Sequence, residues 1–248
     1  MVETVAIGTP PPLGTLAAGR PVALFLDFDG TLVDIAPTPD AIAVGEGMAA
    51  RLEKLAERLE GRVALVSGRS VTDLASHLGA LSLPRAGSHG VEQLRADGSL
   101  IGNPPAALPH AAHHAVRTFV DRHEGLEFEA KSHGAALHFR SATHLEGATI
   151  AFAEEIAETH DLAVKRGKCV AELVHRGADK AGAVRAFMAE SEFSGAMPVF
   201  VGDDVTDEDG FRAAIELGGF GVIVGERPDT LARYRLASPE KVHEWLEL

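Results

Sequence analysis

The sequence predicts an α/β fold: a parallel-sheet core interrupted by an inserted α+β region. Three observations point there. Residues 22–26 are five consecutive apolar residues without alternation, as in a strand covered on both faces. Strand and helix patterns alternate along both ends of the chain. The middle stretch instead shows two adjacent strands joined by a short glycine-containing turn, which reads as a hairpin.

Taken in order, residues 1–19 carry Pro10, Pro11 and Pro12 among several Gly and Ala. They read as a flexible lead-in, without the basic and then apolar pattern of a signal peptide. The strand at 22–26 ends in Asp27-Phe-Asp29-Gly30-Thr31. A loop with Pro37 and Pro39 leads to a helix over 47–59, where Leu52, Leu55 and Leu59 keep helical spacing. Residues 63–66 form a short apolar strand ending at Ser67-Gly68-Arg69, and a helix follows over 71–78. Asn103-Pro104-Pro105 is strong punctuation. Beyond it the pattern predicts a helix over 107–123 and strands over 127–131 and 135–140. A helix over 145–160 and one long strand over 163–175 follow. From Asp179 alternation resumes, with a helix to about residue 190, a strand at 199–201, a helix at 207–216 and a strand at 221–224. The expected organisation is a lead-in over 1–19, a core over 20–106 and 176–248, and an inserted region over 107–175.

Bulk properties narrow the function. The chain of 248 residues is 46% apolar, enough for a substantial core. It has 23 Lys and Arg against 36 Asp and Glu, a formal charge of −13. Nucleic acid is a poor partner for such a surface, because phosphate neutralisation needs an excess of Lys and Arg. The single cysteine, Cys169, excludes an intramolecular disulfide and fits a reducing compartment. No apolar stretch reaches membrane-spanning length, so a cytoplasmic location without a membrane partner is the expectation.

Four stations at strand ends carry the candidate chemistry: Asp27-x-Asp29-Gly30-Thr31, Ser67, Lys180, and Gly202-Asp203-Asp204-Val-Thr206-Asp207. Open α/β sheets bind ligands just past the C-terminal ends of their strands. Two carboxylates one residue apart repel each other, and a divalent cation is the natural reason to place them there. A calcium loop does not fit, since its sixth and twelfth positions would be Leu32 and Thr38. Thr206 suits a helix cap, with Asp207 and Asp209 at the positive end of the helix. Asp203 and Asp204 precede that cap and need another explanation.

Together the four stations resemble the haloacid-dehalogenase superfamily of phosphotransferases, which implies a Rossmann-like core with an α+β cap. The resemblance implies Mg2+, with Asp27 as nucleophile and Asp29 as general acid and base. Metal ligation would fall to Asp27, Asp29 (through its backbone carbonyl) and Asp203, with Asp204 and Asp207 in support. Ser67 and Lys180 would hold the phosphoryl oxygens, and the amides of Gly30 and Thr31 would face the same side. In the insert, Glu129-Ala-Lys131 and Lys168-x-x-x-Glu172 resemble the cap of the trehalose-6-phosphate phosphatase family. So do Leu-His-Phe-Arg at 137–140, Ala-Gly-Ser-His-Gly at 86–90 and Gly-Asp-Asp-x-Thr-Asp-Glu at 202–208. That resemblance spans about residues 21–224. It implies that Glu129, Lys131, Lys168 and Glu172 grip the glucose rings, while His89, Gly90 and Arg69 lie on the core side. Ala181 stands where the family commonly has Gly after the lysine.

The resulting expectation is hydrolysis of trehalose 6-phosphate through an aspartyl-phosphate. The alternatives are a related sugar-phosphate phosphatase, a phosphomutase, or a catalytically silent sugar-phosphate sensor. His110, His113 and His114 lie at helical spacing, but no carboxylate completes a zinc motif. Gly219-Phe-Gly221 lacks the third glycine of a dinucleotide site.

Overall fold

In a computed structural model the apolar run becomes the centre of a seven-stranded sheet. The structure describes residues 7–36, 41–131, 133–167 and 169–248. The chain opens with α1 (Leu13–Gly19), β1 (Val22–Leu26), α2 (Met48–Arg58), β2 (Val63–Val66) and α3 (Val71–Leu78). Strands β3 (Arg85–Gly87) and β4 (Glu92–Leu94) follow. Then come α4 (His110–Asp121), β5 (Glu127–Lys131), β6 (Gly134–His138), α5 (Glu146–Thr159), β7 (Leu162–Gly167) and β8 (Val170–His175). The remainder is α6 (Lys180–Ala189), β9 (Met197–Gly202), α7 (Asp207–Glu216), β10 (Phe220–Val224), β11 (Tyr234–Leu236) and α8 (Pro239–Leu246).

Contacts divide the chain into two units: residues up to Asn103 together with Asp179–Leu248, and Pro104–Ala178. The larger unit holds the sheet β11-β10-β9-β1-β2-β3-β4, parallel except for the antiparallel β3–β4 edge. All five residues of β1 are buried, because helices cover both of its faces. On one face Val22, Leu24 and Leu26 join Leu52 and Leu55 of α2, Leu74 of α3 and Val242 of α8. On the other, Ala23 and Phe25 join Val184 and Phe187 of α6 and Phe211 of α7. Full burial of a side chain as large as Phe25 or Phe187 contributes about 1.5–3 kcal/mol.

The lead-in is more ordered than its composition suggests. Residues 1–6 lie outside the described residues, but Leu13 of α1 is buried in the core. Trp245 Nε1 also donates to the Pro11 carbonyl at 2.8 Å. Proline at the entry of α1 is compatible with a helix start, and packing then holds it.

The smaller unit is a four-stranded antiparallel sheet, order β5-β6-β8-β7, with α4 and α5 on one face. The single strand expected over 163–175 is instead a hairpin, in which Gly167 pairs with Val170. Cys169 sits in that turn at φ 61° and packs, partly buried, against the cluster of Leu126, Phe139 and Ala171. A thirteen-residue strand would be long for a globular protein, and the polar run Lys165-Arg-Gly-Lys168 marks the turn. Lys168 itself lies outside the described residues. Among the described residues, no helix is long and apolar enough to cross a membrane.

Candidate active site

The ends of β1, β2 and β9 and the start of α6 bring the candidate residues together in the larger unit. β1 lies between β9 and β2, the switch point where an open α/β sheet exposes a crevice. Asp27 follows β1 directly, and its N–H donates to the Val201 carbonyl at 3.0 Å. Asp179 caps α6 by accepting from the Gly182 N–H at 2.6 Å, which places Lys180 in the first helical turn. Lys180 Nζ then donates to Asp27 Oδ1 at 2.7 Å and to Asp207 Oδ1 at 2.6 Å. These three side chains are at most 6% exposed. Asp207 Oδ2 accepts from the Asp203 and Asp204 amides at 3.0 and 2.9 Å. Asp207, not Thr206, therefore closes the turn into α7; Thr206 occupies the cap position without a side-chain cap bond.

Asp27, Asp203 and Asp207 each place a carboxylate oxygen within 4.8 Å of the others. Burial pushes the Asp27 carboxyl well above its ordinary range; Lys180 opposes this, while Asp207 and Asp203 add to it. Burial, reinforced by Asp207 and Asp204, pushes Asp203 up to about 7. Burial disfavours the Lys180 charge, but Asp207 and Asp27 outweigh it and hold the ammonium above its ordinary value. A buried set made only of oxygen donors fits a hard divalent cation, whose charge would relieve this repulsion. Asp204 stands apart, its exposed side chain 3.8 Å from Arg227.

Gly30 ties the first station to the fourth. It has φ +75°, and a Cβ there would come within 2.1 Å of Asp203 Oδ2. The Gly30 N–H donates to the Val33 carbonyl at 2.7 Å and the Thr31 N–H to the Phe28 carbonyl at 3.3 Å. Those two amides, expected to face an anion, instead close the turn after β1.

Asp29 does not join the carboxylate cluster. Its Oδ2 accepts from Arg69 Nε at 2.6 Å and its Oδ1 from Arg69 Nη2 at 2.8 Å. Arg69 Nη1 also donates to Asp73 Oδ2 at 2.6 Å. The expectation put the Asp29 backbone carbonyl at the metal, which leaves its side chain available for acid and base work, and Arg69 near the substrate; here the two side chains bind each other. A guanidinium fork matches a carboxylate better than any single donor does. Ser67 is buried after β2, and its Oγ accepts from the Arg69 N–H at 3.1 Å. His89 is buried in a run of three left-handed residues, Ser88, His89 and Gly90. At Gly90 a Cβ would meet the Asp179 carbonyl at 2.4 Å, so this loop packs directly on the start of α6. Left-handed residues with side chains cost about 1–2 kcal/mol each, and such strain concentrates at functional sites.

In the smaller unit, strand register puts Glu129, Lys131, His138 and Glu172 on one sheet face, around Gly134 and Ala136. Phe128, Leu137 and Leu173 point the other way, under α4 and α5. Lys131 Nζ lies 3.0 Å from Glu172 Oε1, and His138 Nε2 lies 2.9 Å from Glu129 Oε2. The His138 hydrogen bond lowers the Glu129 carboxyl below its ordinary value, against the opposing effect of burial.

Residues 25–240 match the sequence pattern of the trehalose-phosphatase family. The chain belongs to the trehalose-phosphatase family. The trehalose-6-phosphate phosphatase of Escherichia coli (strain K12) is 39% identical over 228 residues, covering 91% of this chain and 85% of that protein. A probable trehalose-phosphate phosphatase of Sinorhizobium fredii is 35% identical over 205 residues, covering 82% and 77%. The fold matches the C-terminal domain of a C. albicans trehalose-6-phosphate phosphatase with a TM-score of 0.79, over 98% of both chains at 21% identity. Membership places the chain among the phosphoric monoester hydrolases.

Three residues of this trehalose-phosphatase family member escaped the sequence reading. Asp73 and His77 flank Arg69 from α3, with Arg69 Nη1 3.3 Å from His77 Nε2. Asp73 and His77 share one face of α3 at four-residue spacing, and Arg69 stands four residues before Asp73, just ahead of the Ser70 cap, which is a legible signal. His138 partners Glu129 across adjacent strands. Its signal was its position in Leu-His-Phe-Arg, but only the register shows which acid it meets. His113, noted for its spacing, instead stands edge-on to the Phe128 ring.

Proposed function

We propose that this protein hydrolyses trehalose 6-phosphate to trehalose and phosphate through an aspartyl-phosphate on Asp27. What carries the reading is the buried Asp27–Lys180–Asp207 constellation with Asp203, at the switch point of a trehalose-phosphatase family chain. The Asp27 carboxylate attacks phosphorus, and the bond from phosphorus to the sugar oxygen breaks. Asp29 gives the departing alkoxide a proton, then takes one from the water that cleaves the acyl phosphate. This returns Asp27 to its starting state and releases phosphate. Lys180 neutralises part of the charge where Asp27 meets the phosphoryl oxygens, and the Ser67 hydroxyl contributes a hydrogen bond. Mg2+ is the cation that suits the carboxylate set; Asp27 and Asp203 would hold it, with Asp207 fixing the turn that carries Asp203. Such an ion supplies positive charge where two anions must meet.

The polar face of the second unit's sheet supplies recognition of the sugar hydroxyls. Its ion pairs alternate donors and acceptors, and a site built of paired polar groups discriminates against analogues that leave one unpaired. Phosphate release from trehalose 6-phosphate, sucrose 6-phosphate, mannosyl-3-phosphoglycerate and glucose 6-phosphate tests the assignment. Trehalose 6-phosphate should have the highest kcat/KM. Equal or better turnover of another substrate would overturn the sugar assignment, and formation of an isomeric phosphate would indicate a mutase.

A further inference from the structure

We propose that Arg69 is a positioning residue for Asp29, holding that carboxylate in one resting place away from Lys180 and the Asp27–Asp203–Asp207 cluster. This inference rests on the phosphatase reading above, since it assigns a partner to that reaction's acid and base. The geometry is one-sided. Arg69 engages both oxygens of Asp29, at 2.6 and 2.8 Å, and on its far side donates to Asp73 at 2.6 Å. Asp73 is itself fixed in the first turn of α3, where its N–H donates to Ser70 Oγ at 3.1 Å. The Arg69 backbone is held at both ends: its N–H donates to Ser67 Oγ, and its carbonyl accepts from the Ser88 N–H at 2.7 Å.

Exposure shows which partner is the anchor. The Arg69 side chain is 10% exposed and the Asp29 side chain 34%. The guanidinium is the fixed member, and the carboxylate is the member able to turn away. At least three N–H groups of Arg69 are committed to carboxylates. A substrate phosphate would have to break those bonds to use Arg69 as its own ligand. Rotation of Asp29 alone, by contrast, leaves the bonds of Arg69 to Asp73 and its backbone bonds to Ser67 and Ser88 in place.

The arrangement answers a problem set by the sequence. Two carboxylates one residue apart, beside one buried ammonium, would compete for it. Lys180 contacts Asp27 and Asp207, while Arg69 takes Asp29. The nucleophile and the proton carrier are thereby kept distinct before substrate arrives.

The test is a double-mutant cycle with trehalose 6-phosphate, using Arg69→Ala, Asp29→Asn and the double variant. General acid–base catalysis is worth about 10²–10⁴-fold, so a misplaced Asp29 should cost Arg69→Ala about 10–100-fold in kcat. Adding Arg69→Ala to Asp29→Asn should change the residual rate by less than about twofold. Calorimetric affinity for trehalose 6-phosphate, measured in an Asp27→Asn background, should also stay within about twofold on Arg69→Ala. Arg69→Lys keeps the charge without the fork and should give an intermediate kcat; it serves for the same cycle if the alanine variant does not fold. An equal fold-loss in both Asp29 backgrounds overturns the proposal. So does a tenfold weaker affinity with kcat unchanged, the behaviour of a direct substrate ligand. If wild type releases no phosphate from any sugar phosphate, the phosphatase reading has failed instead, and the two failures are distinguishable.

Discussion

Lys180→Met removes the ammonium group that bridges Asp27 and Asp207 while keeping most of the side-chain volume. Lys180 lies 2.7 and 2.6 Å from those carboxylates, and none of the three side chains exceeds 6% exposure. Removing one partner of a buried ion pair costs about 3–5 kcal/mol, because the other charge is left uncompensated. For a chain of this size each kcal/mol shifts Tm by about 2–4 °C, so the expected loss is roughly 6–20 °C at pH 7.5 in the presence of a chelator. Trp245, the single tryptophan, lies in α8 of the larger unit, so its fluorescence reports unfolding of the right part of the chain. The sign of the pH dependence follows from the carboxyls. Asp27 and Asp203 are held above their ordinary values, Asp203 at about 7, by burial and like charge. Carboxyls raised in the folded state cost stability as pH rises from their unfolded value of about 3.9 toward the folded one. The deficit of Lys180→Met should therefore shrink at pH 5.5, and Mg2+ at pH 7.5 should recover part of it. A Tm within 3 °C of wild type at pH 7.5, or a deficit that grows on acidification, would refute this account of the site.

Three further outcomes are expected. Gly30→Ala forces a Cβ to within 2.1 Å of the Asp203 carboxylate at φ +75°, so the Mg2+ concentration for half-maximal activity should rise at least about tenfold, given a backbone penalty of about 1–2 kcal/mol plus displacement of Asp203; an unchanged Mg2+ dependence would remove Asp203 as a ligand. With Asp203 pushed up to about 7 by burial and its acidic neighbours, Mg2+ bound there would displace more protons at pH 6.5 than at pH 8.5; calorimetry in two buffers of different ionisation enthalpy should show the larger proton release at the lower pH, and equal release at both, or none, would contradict the raised carboxyl. Glu172→Gln breaks the 3.0 Å pair with Lys131 on the polar sheet face of the smaller unit and should raise KM for trehalose 6-phosphate about tenfold, on the scale of a charged hydrogen bond, while leaving turnover of a small aryl phosphate within twofold; equal losses on both substrates would argue against a sugar-binding face.

Much of the fold was legible because it rests on local pattern. The unbroken run at β1 announces a strand buried on both faces, and helices with regular leucine spacing, such as α2, announce themselves too. The 163–175 segment was misread because its ends look like strand, and only pairing of Gly167 with Val170 exposes the turn between them. Strands β3, β4 and β11, at the two ends of the sheet order, have three residues each, too few for any periodicity. Order in α1 depends on a core built from residues far along the chain, which no local pattern around Leu13 contains.

The sequence by itself determined the chemical inventory: Asp27 and Asp29 at the end of a buried strand, Lys180 opening a helix, Asp203 after another strand, and the acids and bases of the insert. Those assignments follow from residue type and strand ends, which are local. Only the tertiary structure decided who partners whom. Lys180 bridges Asp27 and Asp207 across 153 and 27 residues of chain, and Arg69 takes Asp29 across 40. Hydrogen bonds of under 3 Å depend on how strands and loops are stacked in space, and separation along the chain carries no information about that distance. Two carboxylates that look equivalent in the sequence are therefore distinguished by their cations, a buried lysine for Asp27 and an arginine fork for Asp29.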